Sequence, residues 1–84
     1  MAANLLYDSM TRYRSAEKNT GVIAYDIGPD GISIKFRDGS VYLYTIQSTG
    51  KTHIAQMQAL AKKGAGLTTY INQHVRENYL EKLH

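Results

Sequence analysis

The sequence predicts an α+β fold: a three-stranded antiparallel meander preceded by one short helix and followed by two helices packed on one face. Three observations predict it. Residues 32–37 alternate apolar and polar without a fault. Two turn signals, Gly28-Pro29-Asp30-Gly31 and Asp38-Gly39, flank that run. Beyond residue 48 the apolar spacing changes from two to three or four.

Each element follows from its residues. Leu6, Met10 and Tyr13 fall at i, i+4 and i+7, with Leu5 alongside, which predicts an amphipathic helix over residues 3–14. Asp8 early and Arg12 and Arg14 late suit the helix dipole. Residues 15–21 are polar, end in Asn19-Thr20-Gly21 and predict a loop. The first strand spans 22–27, with Ile23, Tyr25 and Ile27 on one face. With Pro29 and Asp30 as the turn centre, Ile27 lies opposite Ile32 and Tyr25 opposite Ile34, which keeps the apolar sets together. Ser48 or Thr49 caps a helix over 51–63 that turns Ile54, Met57 and Ala61 inward, and Gly64 ends it. A last helix from about residue 68 repeats Leu67, Ile71, Val75 and Tyr79 every fourth position.

The third strand, 41–46, has two possible registers. A two-residue Asp38-Gly39 loop pairs Phe36 with Val41 and leaves Tyr42 and Tyr44 in water beside Lys35. A three-residue Arg37-Asp38-Gly39 loop with a glycine bulge pairs Ile34 with Tyr42 and Ile32 with Tyr44, sending both rings inward. Ile46 shares the tyrosines' parity and favours the second register. Val41 and Leu43 then face the other side and need cover, from the N-terminal helix or a second copy of the chain.

Eighty-four residues suit one domain over 1–84 with a modest core. The absence of cysteine excludes disulfide and thiol chemistry. No signal-peptide pattern and no apolar run of membrane-spanning length occurs, so the expectation is a cytoplasmic protein with no membrane partner. The net charge of +3 lies wholly in the second half. Residues 1–40 balance, whereas Lys51, Lys62, Lys63, Arg76 and Lys82 face only Glu77 and Glu81. That surplus points toward a polyanion.

Ser48-Thr49-Gly50-Lys51-Thr52 has the tail of a phosphate-binding loop, but Thr45 stands where the pattern needs its first glycine, and the preceding strand comes from a hairpin. It reads as a helix start. Lys62-Lys63-Gly64-Ala65-Gly66 is the better anion site, since two lysines converge on a loop that opens the last helix. The competing reading is a helix end complemented by lysines, with glycines turning the chain. His53, His74 and His84 share no metal-ligand spacing, and no nucleophile–base or paired-carboxylate arrangement occurs. No enzyme activity, cofactor or metal is expected.

Val22-Ile23-Ala24-Tyr25-Asp26, then Ile32, Ile34, Phe36, Gly39, Tyr42 and Tyr44, resemble the KTSC domain. So do Asn72, Val75, Arg76 and Tyr79, which follow its Asn-x-x-(Ile/Val)-Arg-x-x-Tyr pattern. The resemblance covers residues 19–80, with 1–18 outside it. It departs at Ile46-Gln47-Ser48, where the family often has Val-Pro, and at Lys62-Lys63-Gly64, where it often has Ser-Lys-Gly. The family comprises small stand-alone bacterial and phage-type proteins and a C-terminal appendage of some lysyl-tRNA synthetases. The resemblance implies no catalytic residues, and that appendage suggests RNA. The expectation is therefore a non-catalytic binding module. Lys51, Lys62, Lys63 and Arg76 would meet phosphate, and Tyr42 and Tyr44 would stack on bases if exposed. The alternative is a homodimer or protein partner held through Val41 and Leu43.

Overall fold

A computed structural model describes residues 10–14 and 21–84. It is α+β, with an antiparallel sheet whose strands follow in spatial order β1-β2-β3-β4-β5. They are β1 (Thr11–Arg12), β2 (Val22–Gly28), β3 (Gly31–Phe36), β4 (Val41–Thr45) and β5 (Glu81–Lys82). Between β4 and β5 come α1 (Ile46–Thr49), α2 (Lys51–Lys63) and α3 (Leu67–Tyr70), which runs on into a π-helical turn at Ile71–Val75.

The expected meander is β2–β3–β4. Tyr25 faces Ile34, Ile27 faces Ile32, and Gly28 faces Gly31 around Pro29-Asp30. The second hairpin takes the three-residue loop: the Phe36 N–H donates to the Ser40 carbonyl at 2.8 Å, and Gly39 has φ +92°. Asp38 Oδ1 accepts from the Ser40 N–H and hydroxyl at 2.9 and 2.6 Å. Those bonds hold its carboxylate pKa below the usual range. Ile34 therefore meets Tyr42 and Ile32 meets Tyr44.

Five expectations change, the last of them a helix cap. A bulge between Val22 and Ala24 leaves Ile23 outside the ladder, so Val22 is fully buried while Ile23 is 37% exposed. Thr11–Arg12 is strand rather than helix and pairs with Tyr25 and Ala24. Residues 3–9 of the expected helix and most of the loop after it lie outside the described residues. A short C-terminal strand covers the free edge of β4, with Tyr42 opposite Lys82 and Leu43 opposite Glu81. Pairing both otherwise open edges outweighs the weak local preference of either segment.

The fourth change concerns the last helix. Leu67, Ile71 and Val75 are all buried, as their spacing requires, but only Leu67–Tyr70 is α-helical. A strict period of four drifts off one face of a 3.6-residue helix. The wider i→i+5 turn at Ile71–Val75 absorbs that drift and keeps the stripe on the core.

The core lies between one face of the sheet and the helices. Ile32, Ile34 and Tyr44 pack with Ile54, Met57, Ala61, Leu67, Ile71 and Val75, joined by Tyr13 and Val22. Helix α2 has the predicted bounds, and Gly64 ends it in the left-handed region at φ +78°. Its cap differs. Thr45 and Ser48 form a capping box one turn earlier, on α1, and Gly50 at φ +106° separates the two helices. Gln58 donates to the carbonyls of Gly28 and Gly31 at 3.2 and 3.0 Å, tying α2 to the first turn.

Candidate functional site: an aromatic cleft and a basic loop

Two segments far apart in the sequence form a cleft of about 380 Å³. Strands β3 and β4 supply Phe36, Tyr42 and Tyr44, and their loop adds Asp38 and Ser40. The π-helical turn and its exit supply Ile71, Asn72, Arg76, Glu77 and Tyr79. The five residues Tyr42, Tyr44, Asn72, Arg76 and Tyr79, read from two separate sequence patterns, thus meet in one place.

The rings touch one another along the floor. Tyr42 lies 4.7 Å from Tyr79 and 5.6 Å from Phe36 between centroids, and Tyr44 stands edge-on to Tyr79 at 6.2 Å. Lys82 Nζ sits 5.8 Å from the centre of the Tyr42 ring, close enough for a cation–π contact. Tyr44 is 1% exposed, and its hydroxyl donates to the Arg76 carbonyl over a long 3.4 Å. Burial, with Tyr42 and Tyr79 beside it, pushes its pKa up to about 12. Tyr44 is thus a structural ring, whereas Tyr42, Phe36 and Tyr79 are half-buried and keep surface toward the cleft.

Charge around the rim balances: Asp38 and Glu77 stand with Arg76, and Lys82 lies close enough to act on Asp38. Asn72 and Ser40 add neutral hydrogen-bonding groups. Such a lining suits a planar, uncharged ring with polar edges better than a phosphate.

The expected lysines lie elsewhere and divide. Lys62 and Lys63 are exposed in the last turn of α2. Lys51 is exposed at its first turn, about 16 Å away along the axis. That end lies near the exit of the π-helical turn, since the Thr49 hydroxyl donates to the Asn78 carbonyl at 2.7 Å. Lys51 does not line the cleft. The buried Thr49 and the capping Ser48 have their hydroxyls engaged, so the phosphate-loop-like stretch is a helix start.

Sequence reasoning missed a partner for Lys62 and Lys63. The Arg14 carbonyl packs against the Cα of Gly64, in the space where a Cβ would stand. The backbone of Arg14, an exposed residue, therefore lies against the loop that Lys62 and Lys63 lead into. One residue earlier, the Tyr13 hydroxyl accepts from the Leu67 N–H at 3.2 Å, capping α3 from across the chain. Thr68 bonds the Val22 N–H at 3.1 Å, and its methyl lies near Gly21, which in turn adjoins Phe36 of the cleft. The segment 67–75 thus joins the two: it leaves the loop at Leu67 and already lines the cleft at Ile71 and Asn72.

On the other sheet face, Val41 is 1% exposed and so offers no contact surface, while Leu43 is half-buried. No helix among the described residues is long and apolar enough to cross a membrane. Comparison with known proteins found no matching family model, curated sequence or solved structure.

Proposed function

We propose that the chain is a non-catalytic module that binds single-stranded RNA, one unpaired base entering the cleft while the backbone follows the segment 67–75. The observation that carries this reading is the meeting of Tyr42, Asn72, Arg76 and Tyr79 around one ring-floored cleft. The half-buried rings of Phe36, Tyr42 and Tyr79 offer surface for stacking. Asn72 and Ser40 can bond a base edge, and Arg76 can reach base or phosphate. Lys62, Lys63 and Arg14 take phosphates at the far end. Lys51 has no part in this arrangement. A KTSC-like identity is proposed with it, because the residues that carry the resemblance also carry the cleft.

The test is fluorescence anisotropy of a labelled unstructured RNA over a range of salt. Three phosphate contacts on a single strand give a log–log salt slope near about −2. Lys62→Glu with Lys63→Glu should bring the slope to about −1 or less and weaken every sequence alike. Tyr79→Leu should weaken binding by about 1–3 kcal/mol at constant slope. Binding that ignores salt, or that both variants leave intact, refutes the reading.

A further inference from the structure

The helical layer carries a second cluster that the RNA reading does not use. His53 from α2 and His74 from the π-helical turn come together, ring centroids 6.0 Å apart and planes 30° from parallel. Tyr70, at the end of α3, stands against both, 5.7 Å from His53 and 4.6 Å from His74. Its hydroxyl lies 2.6 Å from His53 Nδ1. Nothing in the 53-to-74 spacing announces this meeting, which arises because α2 and the segment after it run antiparallel.

We propose that His53 and His74 form a site for one divalent transition-metal ion of the zinc, nickel or copper class, with Tyr70 as the positioning residue. A ligating imidazole usually engages its second nitrogen with an oxygen partner, which fixes the tautomer and the ring. His53 has that partner in the Tyr70 hydroxyl, 2.6 Å from Nδ1; in the tautomer whose Nδ1–H donates to that oxygen, Nε2 carries the lone pair a metal needs. Distance allows the second ligand. With metal–nitrogen bonds of about 2.0–2.1 Å, two imidazoles at a tetrahedral angle have centroids about 5.2 Å apart. The observed 6.0 Å is within about 1 Å of that, a gap that rotation of an exposed ring can close. His74 is the exposed member and His53 the half-buried one.

Its location fits a functional cluster, since single π-helical turns inside helices are frequent at functional sites. Among the described residues no third His, Cys, Asp or Glu completes a metal group. The proposed site thus takes two protein ligands from the described residues and leaves its other positions to solvent. The site is open and exchangeable, unlike a structural zinc held by four side chains. A bound ion would clip α2 to the turn that also carries Asn72 and Arg76.

The test is calorimetric titration of the full chain with zinc chloride and then nickel chloride. The expected result is one ion per chain, removed by a chelator. Both His53→Ala and His74→Ala should abolish the saturable phase, and Tyr70→Phe should weaken it by roughly tenfold or more. His84→Ala should leave it unchanged. His74 is exposed, so its variant keeps the test sound even if His53→Ala disturbs packing. Binding that survives His74→Ala, binding lost with His84, or no saturable binding overturns the proposal. RNA titration of His74→Ala separates this site from the cleft, because the metal proposal does not depend on RNA.

Discussion

Gly64→Ala is the sharpest perturbation, because the structure separates its two costs. Gly64 has φ +78°, and an alanine forced into the left-handed region costs about 1–2 kcal/mol. The added Cβ would also occupy the space of the Arg14 carbonyl oxygen, a backbone atom that cannot swing aside as a flexible side chain can. Overpacking of that kind adds about 1–3 kcal/mol. Gly66→Ala and Gly39→Ala isolate the first cost. Gly66 has φ +79°, but its Cβ would only touch Leu60 Cδ2 at 4.0 Å; Gly39, at φ +92°, would meet nothing within 4 Å. Both controls should lose about 1–2 kcal/mol in urea denaturation, and Gly64→Ala about 2–5 kcal/mol. Relief of the clash should also push β1 away and lower the salt slope of RNA binding. Equal losses for Gly64→Ala and Gly66→Ala, within about 0.5 kcal/mol, would refute the close approach and with it the joining of Arg14 to the lysine loop.

Two further outcomes rest on single hydroxyls. Tyr13→Phe leaves the Leu67 N–H without its acceptor and should cost about 1–3 kcal/mol in urea denaturation. Tyr44→Phe removes only a 3.4 Å bond and should cost less than about 1 kcal/mol at neutral pH. In alkali the stability difference between the parent chain and the Tyr44→Phe variant narrows or reverses. The folded Tyr44 keeps its proton until about pH 12, whereas the unfolded phenol loses it near 10, so stability is full below 10 and falls through that interval. The fall attributable to Tyr44 is at most about 1.4 kcal/mol per pH unit, and denaturation midpoints of Tyr44→Phe should lack it.

The central strands were legible because each choice there is local. Pro29-Asp30 sets one turn, Gly39 the other, and the alternation of Ile32, Ile34 and Phe36 fixes their faces. Helix α2 was legible for the same reason, down to Gly64. What escaped depends on distant partners. Ile23 sits on the core parity of β2 by its spacing, yet the bulge turns it outward and Val22 inward. Thr11 and Arg12 become strand only because β2 offers an unpaired edge. The candidate site divides similarly. Arg76, Tyr42 and Tyr44 were singled out by pattern and do meet, but the rim of Asp38, Ser40 and Glu77 has no signature in the sequence. Lys51 and Lys62 looked alike as charges and lie at opposite ends of one helix.

The two outer strands are each two residues long, and this has a consequence for the molecule's excursions from its native state. Strands β2 to β4 draw their pairing from residues close in the chain, whereas each edge is closed from far away by a few bonds: Tyr13 to Ile23 on one side, Leu80 to Leu43 and Leu83 to Val41 on the other. Breaking those few bonds uncovers a full row of β4 donors and acceptors while the central hairpins stay formed. Amide exchange at Leu80 and Leu83 should accordingly outrun that at Ile32 and Ile34. An unshielded β4 could also accept the same segment from a neighbouring molecule, giving a swapped dimer with no new side-chain contacts. The last few residues thus act as the guard of an otherwise open β4 edge.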